Sequence, residues 1–153
     1  SDVCSSDLCN HRTYRSSTDL IVVHTNEGPE GPTSAESLAA YLQGVDPGYN
    51  VVVDENSAVR TARDDEAVWG AGGVNSRAWH ICLTGWSAQT GAQWADASST
   101  AELAIAADLV RQAYYDKGYL DTRVVPDEVI TGDSARVSFQ VFEGQQLIFI
   151  NMR

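Results

Sequence analysis

The sequence predicts an α/β fold: a single domain with a central mixed β-sheet flanked by helices. Three observations carry this. The β-branched runs at Ile21–Val23 and Val51–Val53 read as buried strands. The stretch from Ser99 to Gly118 repeats apolar residues at helical spacing. Strand-like and helix-like segments follow one another without an internal repeat, a low-complexity tract or a linker. A chain of 153 residues fits one domain, and a domain of this size buries roughly 70% of the surface its unfolded chain exposes.

Residues 1–19 form a polar lead. The first eight, "SDVCSSDL", have no hydrophobic period and resemble the translation of a sequencing-adapter fragment, so they are expected to be disordered or dispensable. Leu20–Val23 is the first strand. The loop "NEGPEGP" then leads to Thr33, which with Glu36 makes a capping box for a helix with Leu38, Tyr41 and Leu42 on one face and a stop at Gly44. After the turn residues Asp46, Pro47 and Gly48, "YNVVVDENSAVRTA" predicts a hairpin that turns at Glu55–Ser57. "DDEAVWGAGGVN" reads as an ordered loop around Trp69. "AWHICLTG" reads as a central strand with His80, Cys82 and Thr84 on one face. Ser99 and Glu102 make a second capping box for the long helix, whose stripe is Leu103, Ala106, Leu109, Val110 and Ala113 and whose stop is Gly118. Alternation at Val137, Phe139 and Val141, a turn at Glu143–Gly144 and the run "QQLIFINMR" predict an atypical terminal hairpin over 137–153.

Composition removes several function classes. The net charge of -11 opposes binding to nucleic acid and to anionic lipid surfaces. No segment is apolar for long enough to span a membrane, and the start lacks the pattern of a signal peptide, so membrane insertion is not expected and export needs help from elsewhere. The acids between Glu27 and Glu66 read as a solvated face, and Val59 stands where a calcium loop around Asp54 and Asn56 needs glycine. Cys4, Cys9 and Cys82 have no zinc-ribbon spacing, and their odd number leaves at least one outside any intrachain disulfide. The chain has no Gly-x-Ser-x-Gly elbow, no Gly-x-Gly-x-x-Gly turn and no P-loop.

His24 closes the first strand, where a polar side chain emerges among loops. From that window alone it is either a zinc-binding imidazole or a histidine satisfied by local hydrogen bonds. His80 and Cys82 add a second pair of readings. They complete a three-donor zinc set with His24 if the two strands are neighbours, or they are core residues of a buried strand.

The order of four motifs narrows the choice. "IVVHTNEG", "GYNVVVDENSAVRTA", "AVWGAGGVNSRAWHICLTG" and the long helix together resemble the zinc-dependent N-acetylmuramoyl-L-alanine amidases of phage lysins and bacteria, relatives of peptidoglycan-recognition proteins, over Leu20 to Tyr119. The resemblance implies that His24 is the first zinc ligand, that Tyr49 is the catalytic tyrosine beside the metal, and that Trp69 and Asn75 belong to the substrate-side loop. It further implies a Zn2+ cofactor, peptidoglycan as partner, action at the bacterial cell wall and hydrolysis of the amide between N-acetylmuramic acid and L-alanine. A monomer is expected. The residue types suit that chemistry, since neutral imidazole is a zinc donor and a phenol hydrogen-bonds an oxyanion.

Beyond the long helix the pattern departs. The family has a strand leading to a Gly-His pair with the second ligand, then a cysteine or aspartate ligand. Here "VITGDSARVS" stands in that place, with Asp133 near the histidine position, and the tail matches nothing of the remainder. Three readings follow: Asp133 replaces the histidine as a metal ligand, the tail is foreign or truncated, or the domain has lost its metal. The last makes it a catalytically silent peptidoglycan-binding module. For the lead, deletion of residues 1–8 is expected to leave the thermal midpoint unchanged, and a large fall would show them to be structural.

Overall fold

In the computed structural model, which describes residues 14–45, 48–132 and 134–146, the central strand is Ala78–Leu83. All six of its residues are buried. Numbered along the chain, the sheet strands are β1 (Leu20–Thr25), β2 (Val51–Val53), β3 (Ala58–Arg60) and β4 (Ala78–Leu83). Both β1 and β2 run parallel to β4 on either side of it, and β3 pairs antiparallel with β2, giving the order β1-β4-β2-β3. Parallel strands covered on both faces need apolar residues at successive positions, which is why "VVV" and "AWHICL" are nearly continuous apolar runs.

Helices cover the two faces. Helix α1 (Ser34–Leu42) packs Ala35, Ala39 and Leu42 with Val52, Val59 and Cys82. A short helix, α2 (Gly91–Trp94), precedes α3 (Ala97–Asp116), and on the other face Trp94, Leu103, Ala106 and Val110 pack with Val51, Val53, Trp79, Ile81 and Leu83. Strands β5 (Arg123–Thr131) and β6 (Ser134–Phe142) form an antiparallel hairpin around Gly132, which sits at φ 62. Its Val124, Val137, Phe139 and Val141 pack against the α3 side of the core. The predicted mixed sheet flanked by helices is therefore present.

Four local expectations are corrected. Thr33 precedes α1 as predicted, but its side chain makes no cap. The amide of Ala35 donates instead to Oδ2 of buried Asp54 at 3.0 Å. The long helix starts at Ala97, because Asp96 caps it by accepting from the Ser99 amide at 2.9 Å. Ser99 and Glu102 turn inward rather than forming a box: the Ser99 hydroxyl donates to Glu30, and Glu102 accepts from Thr84. The capping box forms at Thr90 and Gln93, where a four-residue helix is too short to show a period. Finally, Val137–Phe142 pairs back onto Arg123–Thr131 instead of forward into the tail. β5 includes Pro126, whose missing amide a peripheral two-stranded ribbon tolerates. Residues 1–8, Asp133 and the tail from Leu147 lie outside the described residues.

Two buried acids hold these layers together. Asp54 Oδ1 accepts from the amides of Asn56 and Ser57 and from the Ser57 hydroxyl, while Oδ2 holds the first turn of α1. Asp54→Ala leaves buried donors unpaired, each worth about 1–3 kcal/mol, so a clear loss of unfolding free energy in urea is expected; a change within error would show water serving equally well.

Glu102 Oε1 accepts from the Thr84 amide at 2.6 Å and its hydroxyl at 2.8 Å, while Oε2 has no partner among the described residues. Burial is the main cause that pushes this carboxyl up from 4.5 to about 8; the Thr84 bonds oppose the shift, and the charges of Glu30 and Asp54 add to it. Between those two pH values the folded state holds a proton that the unfolded state has released. Stability from this group is therefore lost as pH rises from about 4.5 to about 8, with a slope of at most about 1.4 kcal/mol per pH unit. Glu102→Gln is expected to flatten that decline in unfolding free energies measured across this range; parallel curves for the two proteins would refute it.

Candidate active site

Strand alternation and register assemble the site. Residues 22 and 24 of β1 share a face with residues 80 and 82 of β4, because Val22 lies opposite His80 and His24 opposite Cys82. Nε2 of His24 comes within 2.9 Å of Nδ1 of His80, with the rings stacked at 5.2 Å between centroids. Tyr49, just ahead of β2, brings its ring to 5.3 Å from that of His24. Three motifs far apart in sequence thus meet at the β1 side of the α1-covered face.

Asn50 fixes the His80 backbone and was not singled out by sequence. It is wholly buried. Its Oδ1 accepts from the His80 amide at 3.0 Å and its own amide donates to the His80 carbonyl at 2.9 Å. Its Nδ2 donates to the carbonyls of Arg63 and Glu66. A buried amide with all its groups used is a rigid clamp. It stands in the "GYN" motif directly after Tyr49, so position next to a candidate was the available signal.

Gly70 is required by close approach. A Cβ there would lie 2.3 Å from the Gly48 carbonyl oxygen and 2.5 Å from Nδ1 of His80. Only glycine lets this loop close over the His80 ring. Next to it Trp69 is 78% exposed, so it is not a packing residue, and its indole is free to meet a ligand. Asn75 works within the same loop, its Oδ1 accepting from the Ala71 amide at 2.8 Å.

Electrostatics keep all four site groups neutral near pH 7. Desolvation lowers the His24 pKa, and desolvation, then His24 and Arg15, push His80 down to about 4. Burial raises the Tyr49 phenol to about 12 and the Cys82 thiol to about 12. Tyr49 is thereby a hydrogen-bond donor over the whole physiological range. Cys82 is a protonated thiol that packs with Ala35, Ala39 and Leu42 and donates to the Leu83 carbonyl, the arrangement of a core cysteine.

Among the described residues no group of three or more His, Cys, Asp or Glu side chains could hold a metal ion. The site offers two imidazoles, with the Cys82 thiol packed into the core under α1, whereas catalytic zinc takes three protein ligands. The described residues therefore do not complete a zinc site. An open groove of about 600 Å³ between β1, α3 and β6 is lined by Ile21 and Val23, which alternate with His24 and face the other side of the sheet.

Comparison with curated proteins gives no match. Among solved structures the chain is similar to a mutant endolysin from Bacillus subtilis, at 20% identity over 71% of this chain and 70% of that one, with a TM-score of 0.54. It is similar to a mutant of PlyL at 20% identity over 67% and 64%, with a TM-score of 0.53. It is also similar to the N-acetylmuramoyl-L-alanine amidase LysC from Clostridium intestinale at 18% identity over 69% and 68%, with a TM-score of 0.50. The chain thus spans slightly less than two thirds of the PlyL chain. At these identities the likeness establishes the fold. The sequence pattern of one family, described as N-acetylmuramoyl-L-alanine amidase, matches residues 14–137 and so takes in both histidines, Tyr49 and the Trp69 loop; the chain belongs to that family.

Proposed function

We propose that the chain is a peptidoglycan hydrolase that cleaves the amide between N-acetylmuramic acid and L-alanine at the bacterial cell wall. The observation that carries this is the meeting of His24 and Tyr49, at 5.3 Å between ring centroids, within a chain of the amidase family. Water adds to the lactyl carbonyl carbon, the C–N bond breaks, and the products are a carboxylate and the free amine of L-alanine. Charge grows on the carbonyl oxygen as water adds, and the Tyr49 phenol, held protonated, donates to it. Trp69 offers an apolar face to a sugar ring, and Asn75 keeps its loop in shape.

In this reading His24 is a metal ligand, with Asp133, which lies outside the described residues, or His80 and Cys82 as the candidates to join it. The donors among the described residues do not by themselves complete the site. A second reading, a catalytically silent peptidoglycan-binding module, is favoured by that same shortage of donors among the described residues.

Release of new amino termini from muramyl-peptide substrate, measured with and without added zinc, separates the two. Turnover is expected, with Tyr49→Phe lowering kcat by about 10²–10³-fold while binding is kept. His24→Ala is expected to abolish zinc uptake in calorimetry with little change in thermal midpoint. Saccharide-peptide affinity without any amine release, in zinc-supplemented buffer, would overturn the hydrolase and establish the binding module.

A further inference from the structure

The loop that carries Trp69 and Asn75 stands on two feet, residues 63–66 and 76–78, and residues 14–19, ahead of β1, tie the feet together. Tyr14 forms an antiparallel bridge with Glu66, and the Arg15 amide donates to the Asp65 carbonyl at 2.8 Å. On the other foot the amide and the hydroxyl of Ser16 both donate to the Ser76 carbonyl at 2.9 Å, and the Asp19 amide donates to the Arg77 carbonyl at 3.2 Å. Arg15 reaches both feet. While its main chain holds Asp65, its Nη1 donates to the Ala78 carbonyl at 3.0 Å and to Oδ1 of Asn50 at 3.3 Å. That Asn50 oxygen also accepts from the His80 amide, and Asn50 Nδ2 grips the first foot at Arg63 and Glu66. Between the feet the loop is held by the Ala71 amide on Asn75 and by the close approach of Gly70 to the His80 ring, while Trp69 stands largely in solvent. Fixing both ends of a loop restricts the conformations open to the residues between them.

We propose that Arg15 is a positioning residue for the substrate-side loop: by clasping Asp65 and Ala78 across the loop's base, it keeps the loop closed on His80 and Trp69 in place for a ligand. The guanidinium suits this role, because it is charged at every physiological pH and its planar fork is preorganised for fixed acceptors. Without the clasp the loop samples more conformations, and ordering it falls to the binding step. The chemistry assigned to Tyr49 does not draw on Arg15, so affinity changes and the chemical step is spared. The consequence for substrate rests on the amidase reading of the loop; the hold on the loop does not.

Two variants of the full chain test this, Arg15→Met, which keeps an aliphatic stem without donors, and Arg15→Lys, which keeps the charge and guards against a methionine variant that does not fold. In Arg15→Met, hydrogen exchange of the Ala71 and Arg77 amides is expected to speed up about tenfold, the scale of one lost hydrogen bond to a charged group, with α3 amides unchanged. KM for muramyl-peptide substrate is expected to rise by a similar factor while kcat stays within about twofold. Arg15→Lys is expected to recover part of both changes. Exchange that speeds up equally in the loop and in α3, with KM unchanged, would make Arg15 merely structural and refute the proposal. Loop exchange like that of the wild type in Arg15→Met would refute it too, as would a fall in kcat with KM unchanged. Absence of turnover in the wild type, with loop exchange faster in Arg15→Met, would count against the hydrolase and leave the hold on the loop in place.

Discussion

With β4 buried on both faces, every polar side chain it carries must find its partner inside the protein, and β1, parallel beside it, supplies one in His24. The rest of the site follows from this pairing. The register puts Val22 opposite His80 and His24 opposite Cys82, and strand alternation turns all four to the α1 side. A slip of one residue would send His24 to the α3 face, among Ile81 and Leu83. The apolar runs of β1, β2 and β4 therefore hold the core and also aim the chemistry.

The polar groups that hold this arrangement are few, and each ties a loop to the sheet. Asn50 locks the approach to β2 onto β4 and onto the loop after β3. Asp54 closes the β2–β3 turn and starts α1. Glu102 joins α3 to Thr84 at the exit of β4. Buried polar groups with partners specify one arrangement, because in the interior the alternative is an unpaired group. Among the described residues, Glu102 and His80 each keep one atom unpaired. Both respond in the direction physics requires, by favouring the neutral form.

Charge is managed the same way around the candidate chemistry. The chain is strongly acidic, yet the groups that meet at His24 are neutral near pH 7, since desolvation lowers both imidazoles and raises the phenol and the thiol. A neutral cluster is suited to an uncharged amide, and the exposed Trp69 beside it offers apolar area instead of charge.

Much of this was legible in the chain itself. The strands "IVVHT", "VVV" and "AWHICL", the long helix and the mixed sheet could be named from β-branched runs and helical spacing, because these are local signals, while the resemblance to the amidases supplied the candidates His24 and Tyr49. What only the tertiary structure decided are the choices among partners. Thr33 and Ser99 looked like caps, but Asp54, a buried carboxylate distant in sequence, and Asp96, the residue just ahead of α3, do that work, since a carboxylate is the stronger acceptor for an amide it can reach. Glu102 looked like half of a box and is the tie from α3 to Thr84. His80 and Cys82 stood as an equivalent pair on one strand, and the structure parts them: His80 reaches His24, while Cys82 is a protonated thiol in the core. Residue spacing determines which side chains share a face, but which two of them touch depends on the packing of separate segments and on how deeply each is removed from water.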